Sequence, residues 1–149
     1  MARRRPRPDP AARSGRLALG AAPEPLVGGP ALAELRRSFA GSLVLPADAV
    51  YDEARRVWNP AIDRRPALVA RCSGGGDVVA AVSLAHRTGL PVAVRGAGHS
   101  FAGFGVCEGG IVIDLSGMKD VHVEPARRTA VLQPGLTWAE LDAATQSLE

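Results

Sequence analysis

Cysteine is scarce in this sequence of 149 residues, which contains only Cys72 and Cys107. Two cysteines cannot form a disulfide framework, and neither belongs to a CxxC pair or to the paired Cys/His spacing that binds structural zinc. The three histidines, His86, His99 and His122, are scattered along the chain. We therefore expect no metal site, and we expect both cysteines to be buried as small apolar residues.

Long hydrophobic runs and aromatic residues are also scarce. No apolar stretch approaches the roughly 18 residues that a transmembrane helix needs, so the sequence predicts no membrane span. Aromatic residues make up 4% of the chain, too few to supply the stacking platform of a protein that binds single-stranded nucleic acid. With 46% hydrophobic and 22% charged residues, the composition is that of one ordinary soluble domain.

The basic charge is concentrated in a leader, residues 1–28. Its first 16 residues hold six arginines and one acid, whereas the rest of the chain has a net charge of −2. An Arg/Pro-rich segment is typical of a disordered end, although it can also contact nucleic acid or acidic lipid. The arginines at 3–5 and the short apolar segment 17–23 also resemble a weak twin-arginine export signal. We expect a disordered leader on a cytoplasmic protein that binds neither nucleic acid nor membrane, with export as the alternative.

Two helices are expected before the central strands. Residues 29–41 predict the first, because Pro30 suits an initial helical position and Gly41 suits a left-handed cap at its end. Residues 48–58 predict the second, which Asn59-Pro60 ends. Three residues of the second helix share one face: Tyr51, Ala54 and Trp58.

Apolar segments at 67–71, 92–95 and 111–115 predict three short strands. Residues 77–88 predict a helix between the first two, with Asp77 as its N-cap and Gly89 at its end. A strand, a helix and a strand within about 30 residues predict parallel strands. The predicted fold class is α+β, with a small, mostly parallel sheet flanked by helices.

A second, antiparallel layer is expected after the third strand. Residues 121–133 alternate around a turn and predict a hairpin. Thr137 and Glu140 have the spacing of a capping box, which predicts a helix over 138–148. This helix meets the chain end without a glycine or proline stop, so we expect the chain to be cut inside an element and the second layer to be truncated.

The segment 94–103, Val-Arg-Gly-Ala-Gly-His-Ser-Phe-Ala-Gly, is the stretch most indicative of chemistry. Its three glycines allow backbone N–H groups to converge on an anion, and Arg95 and Ser100 can add side-chain donors for phosphate. The dinucleotide motif G-x-G-x-x-G does not fit, because Phe101 occupies the third glycine position and no helix follows. The glycines at 74–76 lack the Lys-Ser/Thr of a P-loop and predict a helix-entry loop.

Residues 95–100, Arg-Gly-Ala-Gly-His-Ser, resemble the R-G-G-G-H-S segment of FAD-linked oxidases of the berberine-bridge-enzyme-like group, in the vanillyl-alcohol-oxidase/PCMH superfamily. The segments at 51–59, 65–69 and 106–116 are also similar to that family, so the resemblance covers roughly residues 30–149. It implies that residues 29–149 form the N-terminal part of a PCMH-type FAD-binding domain, incomplete at its C-terminus.

The resemblance also implies a cofactor site. It places the FAD pyrophosphate over the glycine turn, with these cofactor-binding residues: Arg95, Gly96, Ala97, Gly98, His99, Ser100 and Gly103. Members commonly link the flavin 8α-methyl group to a histidine at the position of His99, a role that suits a neutral imidazole nitrogen. Ala97 replaces the usual glycine, and its methyl group is tolerated if φ stays negative. Many members also link the flavin to a cysteine beyond the point where this chain ends, so Cys107 is not its equivalent.

The activity that the resemblance implies is FAD-dependent oxidation, in which hydride passes from a sugar, an alcohol or a similar small C–H donor to the flavin and then to O2. The alternative is a non-catalytic flavin-binding module or remnant that needs a partner chain. The family's substrate domain and its catalytic tyrosine or acid lie downstream of these residues. We therefore assign no catalytic residue, and we expect this chain alone not to turn over substrate.

Overall fold

A computed structural model describes residues 27–146. In chain order the elements are α1 (Gly29–Ser38), β1 (Ser42–Val44), α2 (Tyr51–Ala54), β2 (Leu68–Arg71), α3 (Gly75–Thr88), β3 (Val92–Arg95), β4 (Ile111–Asp114), β5 (Val121–Glu124), β6 (Thr129–Leu132) and α4 (Trp138–Gln146). Within 27–146, none of the helices combines the length and apolar character needed to cross a membrane. Residues 1–26 of the predicted leader lie outside the described residues, whereas Val27 is buried in the core.

Four strands form the main sheet in the order β1-β2-β4-β3. The central strand β4 pairs in parallel with both neighbours, so that Ile111 lies opposite Leu68 on one side and Val92 on the other. This arrangement confirms the predicted small, mostly parallel sheet. Because β4 lies between them, β2 and β3 are parallel without being neighbours. The antiparallel edge strand β1 was not predicted; it pairs Leu43 with Ala70.

The core lies on both faces of β4. Ile111 and Ile113 face one cluster, which includes Leu84 of α3. Val112 faces the other cluster, which includes Tyr51 and Ala54 of α2 together with Val69, Ala93 and Val106. A continuous run of β-branched residues is what a parallel strand buried on both faces requires, and it explains why this strand was predictable.

The start of α3 differs from the prediction. Gly74 is the N-cap, and Asp77 lies inside the first turn. The buried carboxylate of Asp77 accepts hydrogen bonds from the backbone N–H groups of Ala40 (2.8 Å), Gly41 (3.0 Å) and Ser73 (2.8 Å), and from the Ser73 hydroxyl (2.8 Å). Asp77 therefore joins the α1–β1 connection to the α3 loop. The other end of the helix is confirmed, since Gly89 caps it in the left-handed conformation at φ 68°.

Two predictions for the first two helices are also wrong. Helix α1 ends at Ser38 with Phe39 extended, so Gly41 is not its left-handed cap. Gly41 is instead needed for close packing, because a Cβ atom there would lie 2.0 Å from the carbonyl oxygen of Arg71. Helix α2 is a single turn, and Trp58 does not share its buried face.

The predicted hairpin and the helix after it are confirmed. β5 and β6 form a two-stranded antiparallel sheet joined by a 3-10 turn at Pro125–Arg127. The capping box is present: the N–H of Thr137 donates to Glu140 Oε2 (2.8 Å), and the N–H of Glu140 donates to Thr137 Oγ1 (3.3 Å). Lys119 also binds Glu140, at 2.5 Å, and the pKa of that carboxyl falls to about 2.

Candidate functional site

The candidate site lies at the carboxyl ends of the parallel strands. β2, β3 and β4 run in the same direction, and their last residues, Arg71, Arg95 and Asp114, lie in one row across the sheet. The long loop 96–110 leaves β3 at this edge. Ligands of open α/β sheets bind at this edge, so the fold places the predicted glycine turn where a ligand is expected.

Arg95 is directed into the protein. Its side chain is 8% exposed, and its Nη2 donates to Asp114 Oδ2 (2.5 Å) and to the carbonyl of Ala54 (2.7 Å), while Nη1 donates to the carbonyl of Arg56 (2.9 Å). Burial raises the pKa of Asp114, but the hydrogen bond and charge of Arg95 outweigh it and hold the pKa below its ordinary value. The guanidinium thus ties β3 to β4 and α2. These bonds use three of the five N–H donors of the guanidinium, and the phosphate contact of Arg95 stays a prediction.

The glycine turn has the backbone that the sequence predicted. Gly98 is left-handed at φ 82°, a conformation that glycine adopts without strain. Gly96 is needed for a close approach, because a Cβ atom there would lie 2.3 Å from the carbonyl oxygen of Pro134, just after the hairpin. Within 27–146, Arg128 is the one non-glycine residue with a positive φ, so Ala97 meets the condition on which its methyl group is tolerated.

Four consecutive backbone N–H groups in the turn, those of residues 97–100, make no hydrogen bond to any part of the described chain. We call these residues the amide nest. Successive free amides next to a left-handed glycine are typical of anion-binding concavities. The Ser100 hydroxyl oxygen accepts a bond from the N–H of Phe104 (3.2 Å), which leaves its proton able to donate to a ligand.

His99 lies within the amide nest and is exposed. No described residue hydrogen-bonds its imidazole ring. Gly103 lies further along the loop, left-handed at φ 74°, and it packs against Ile62 so closely that a Cβ atom would approach Ile62 to 2.8 Å. The structure therefore brings residues 96–100 together at one turn and gives Gly103 a packing role at the far side of the loop.

Residues 58–64 hold this loop in place through hydrogen bonds, a role that was not predicted from the sequence. The N–H of Trp58 donates to the carbonyl of Gly98 (3.3 Å), and Asn59 Nδ2 donates to the carbonyl of Phe101 (2.9 Å). Arg64 Nη1 donates to the carbonyls of Gly103 (3.2 Å) and Val106 (2.9 Å). The contacts span about 40 residues of sequence, so local periodicity carries no sign of them. The available signal was the family resemblance of the segment 51–59.

Within residues 27–146, no hydrogen bond joins the two cysteines or the other two histidines to residues 96–100. Cys72 is buried, as predicted, and burial raises the pKa of its thiol to about 11. Cys107 is half-buried, and burial raises the pKa of its thiol too. His86 on α3 and His122 on β5 are exposed. Residues 27–146 contain no group of three or more His, Cys, Asp or Glu side chains able to hold a metal ion.

The sequence of this chain is similar to those of known proteins. Residues 66–148 match the FAD binding domain family. The (R)-6-hydroxynicotine oxidase of Paenarthrobacter nicotinovorans is 35% identical over 104 residues, which cover 70% of this chain and 23% of that protein. FAD-linked oxidoreductase hasG of Aspergillus fumigatus is 34% identical over 116 residues, which cover 77% of this chain and 25% of that protein.

Solved structures show the same fold. The crystal structure of 6-hydroxy-D-nicotine oxidase from Arthrobacter nicotinovorans has a TM-score of 0.71 and 33% identity, covering 74% of this chain and 24% of that one. A variant of the Physcomitrella patens BBE-like 1 protein has a TM-score of 0.72 and 25% identity, covering 79% of this chain and 26% of that one. This chain spans about a quarter of the length of these relatives.

The fold and the match over more than half of its residues define this chain as an FAD-binding domain of FAD-linked oxidoreductases. It belongs to the FAD binding domain family, and its homologues are FAD-linked oxidases of the berberine-bridge-enzyme-like, PCMH-type group. The family and fold class indicated by the sequence are thereby confirmed.

Proposed function

We propose that this chain binds FAD with the pyrophosphate at the amide nest and the flavin ring joined through its 8α carbon to a ring nitrogen of His99. The observation that carries the proposal is the run of four N–H groups around the left-handed Gly98 that bond to nothing within residues 27–146, with the exposed His99 among them. These groups fit a pyrophosphate, because they donate toward an anion without first giving up bonds to the protein.

The side chains at the turn have separate roles in this proposal. Ser100 donates its free hydroxyl proton to a phosphate oxygen, and Arg95 holds the end of β3 in place through its buried bonds to Asp114 and to two carbonyls. His99 supplies an imidazole ring nitrogen as the nucleophile. In the link a C–N bond would replace one C–H bond of the 8α-methyl group and the imidazole N–H. The two electrons and two protons released would reduce the flavin, and O2 would then take them to give H2O2.

We infer that the domain serves an oxidase, which takes hydride from a sugar, an alcohol or a similar small C–H donor. When bound, FAD supplies the hydride-accepting chemistry, and the protein supplies binding and orientation. The second candidate is a flavin-binding module that works with a partner chain. It is favoured by the apolar side chains that the hairpin and α4 leave exposed, among them Val131 and Trp138.

Acid precipitation after loading with FAD tests the covalent link. We expect the denatured pellet of the wild-type chain to keep the flavin absorbance and His99→Ala to release it. His122→Ala, which removes another exposed histidine on β5, is the matched control and should behave as wild type. A colourless wild-type pellet contradicts the link, while co-elution of FAD with the native chain still supports binding at the turn.

Turnover separates the two candidate functions. The loaded chain is mixed anaerobically with a panel of sugars and alcohols, then exposed to air while peroxide is measured. We expect no turnover from this chain alone, because losing the groups that orient a substrate can lower a rate by about 10⁵-fold or more. Repeated reduction and reoxidation would show that residues 1–149 form a complete oxidase and would exclude the module that needs a partner.

A further inference from the structure

Three large aromatic side chains are exposed beside the amide nest. Trp58 is 64% exposed, Phe101 is 73% exposed and Phe104 is 77% exposed. In contrast, the apolar residues of β2 and β4 are completely or almost completely buried. Exposed aromatic rings grouped at one place on a surface indicate a surface that contacts something else.

Trp58 and Phe101 form a pair with a fixed relation to His99. Their ring centroids lie 6.2 Å apart with the planes tilted by 47°. The backbone of Trp58 bonds to Gly98, the residue before His99, and Phe101 follows His99 by two residues. Asn59 locks the arrangement, since its Nδ2 holds the carbonyl of Phe101 and its Oδ1 accepts the N–H of Ala61 (3.1 Å). The backbone around both rings is therefore held in place without any ligand.

We propose that Trp58 and Phe101 form an aromatic wall that packs against the isoalloxazine ring of the flavin. This inference rests on the proposed function, because it needs the flavin to be held at His99. The flavin ring would then start from His99, whose neighbour Gly98 bonds to the backbone of Trp58 and which Phe101 follows by two residues. Aromatic side chains stack on planar heterocycles, and such stacking contributes measurably to binding.

The wall is tested with the two tryptophans of the chain, Trp58 and Trp138. Trp138 lies on α4 and is 81% exposed. Trp138→Phe leaves Trp58 as the sole tryptophan, and Trp58→Phe leaves Trp138, so each variant is the control for the other. Each chain is loaded with FAD and freed of unbound cofactor, and flavin emission is measured per bound FAD. Tryptophan in contact with a flavin quenches its emission by electron transfer. We expect several-fold stronger emission in Trp58→Phe than in wild type or Trp138→Phe.

Two further measurements complete the test. In Trp138→Phe, FAD should quench the emission of Trp58. This measurement keeps both Trp58 and Phe101 in place, so it can be made even if a Trp58 variant fails to fold. ADP alone should leave Trp58 emission unchanged, because it carries the adenine and the pyrophosphate without the flavin. In a His99→Ala background, where no covalent link forms and FAD binding is reversible, Trp58→Ala and Phe101→Ala should each raise the Kd for FAD by roughly 5- to 100-fold.

The outcomes distinguish the inference from the function on which it rests. Equal flavin emission in wild type and Trp58→Phe, with FAD bound to both, overturns the aromatic wall and leaves FAD binding intact. Quenching of Trp58 by ADP as strong as that by FAD also overturns it, since the adenine is then the ring in contact. A wild-type chain that retains no FAD overturns the proposed function, and the inference with it.

Discussion

The four-stranded sheet and the hairpin layer are held together by different interactions. Every residue of β4 is buried, whereas every residue of β6 is exposed and none of residues 138–146 is buried. The sheet depends on apolar contacts between segments far apart in sequence. The hairpin and α4 depend on a tight turn, a capping box and the exposed Lys119–Glu140 pair. Polar bonds and turn geometry therefore stabilise the second layer, and most of its apolar side chains stay exposed.

The largest difference should come from removing one member of an ion pair in each layer. Asp114→Ala leaves Arg95 buried without its carboxylate, and we expect it to lower the free energy of unfolding by about 3–5 kcal/mol. Lys119→Ala removes an ion pair in which both side chains are partly exposed, and it should leave the urea midpoint nearly unchanged. Urea unfolding followed by circular dichroism measures both. Equal shifts would mean that the two layers do not differ in this way.

Apolar truncation should show the same contrast. Ile111→Ala empties space in a fully buried strand, and we expect a loss of about 2–5 kcal/mol. Val131→Ala acts on a side chain that is 72% exposed, and its effect should stay within about 0.5 kcal/mol. The measurement is again the free energy of unfolding in urea. A loss at Val131 as large as that at Ile111 would show that a further surface covers the hairpin.

Acid should weaken the junction made by Asp77. Burial raises the pKa of this carboxyl, but the bonds from Ser73, Ala40 and Gly41 outweigh it and lower the pKa. A lowered folded-state pKa means that the carboxylate stabilises the fold above the unfolded value of about 3.9, and that this contribution is lost as the pH falls through the folded value. Asp77→Asn should thus be less stable than wild type at pH 7.

The difference between Asp77→Asn and wild type should shrink at acid pH, because the wild-type carboxyl is then neutral as well. Unfolding of both proteins in urea, from neutral pH to below the unfolded pKa of about 3.9, measures this difference. A difference that stays constant or widens on acidification would show that the charge of Asp77 is not what stabilises the junction.

Small effects of opposite sign are expected at two glycines, one within α3 and one that caps its end. Gly76 lies in the first turn with open space around its Cβ position, so Gly76→Ala should raise stability by about 0.5–1 kcal/mol. Gly89 also has open space but is left-handed, so Gly89→Ala should lower stability by about 1 kcal/mol. Thermal unfolding of the two variants checks the opposite signs. Shifts in the same direction would contradict the role given to backbone conformation.

Much of the fold could be predicted because its signals are local. Three predictions rested on patterns of only a few residues, and each is confirmed: the β-branched strand at 111–113, the capping box at Thr137 and the left-handed Gly89. The short edge strand β1 has no such run. It forms because Gly41 lets the chain pass close to the carbonyl of Arg71, a contact that no local pattern encodes.

The position of the candidate site could be predicted from the sequence, but the hydrogen bonds of its side chains could not. The glycines at 96 and 98 marked the turn, and the resemblance of residues 95–100 named the cofactor class. The pattern could not show that Arg95 uses its donors on Asp114 and two carbonyls, because those acceptors come from distant segments. Asp77 was misread for the same reason, since three of its four donors are backbone groups that lie outside the helix.

The brace of residues 58–64 on the loop has a thermodynamic consequence for ligand binding. Fixing the backbone of one residue costs roughly 1–2 kcal/mol in conformational entropy. Bonds from Trp58, Asn59 and Arg64 fix the loop at four carbonyl groups, so much of this ordering takes place when the chain folds. A preorganised loop loses less entropy when its ligand arrives. For the FAD site that we propose at the amide nest, we therefore expect the affinity to depend on the side chains of Asn59 and Arg64, which need make no contact with the phosphates.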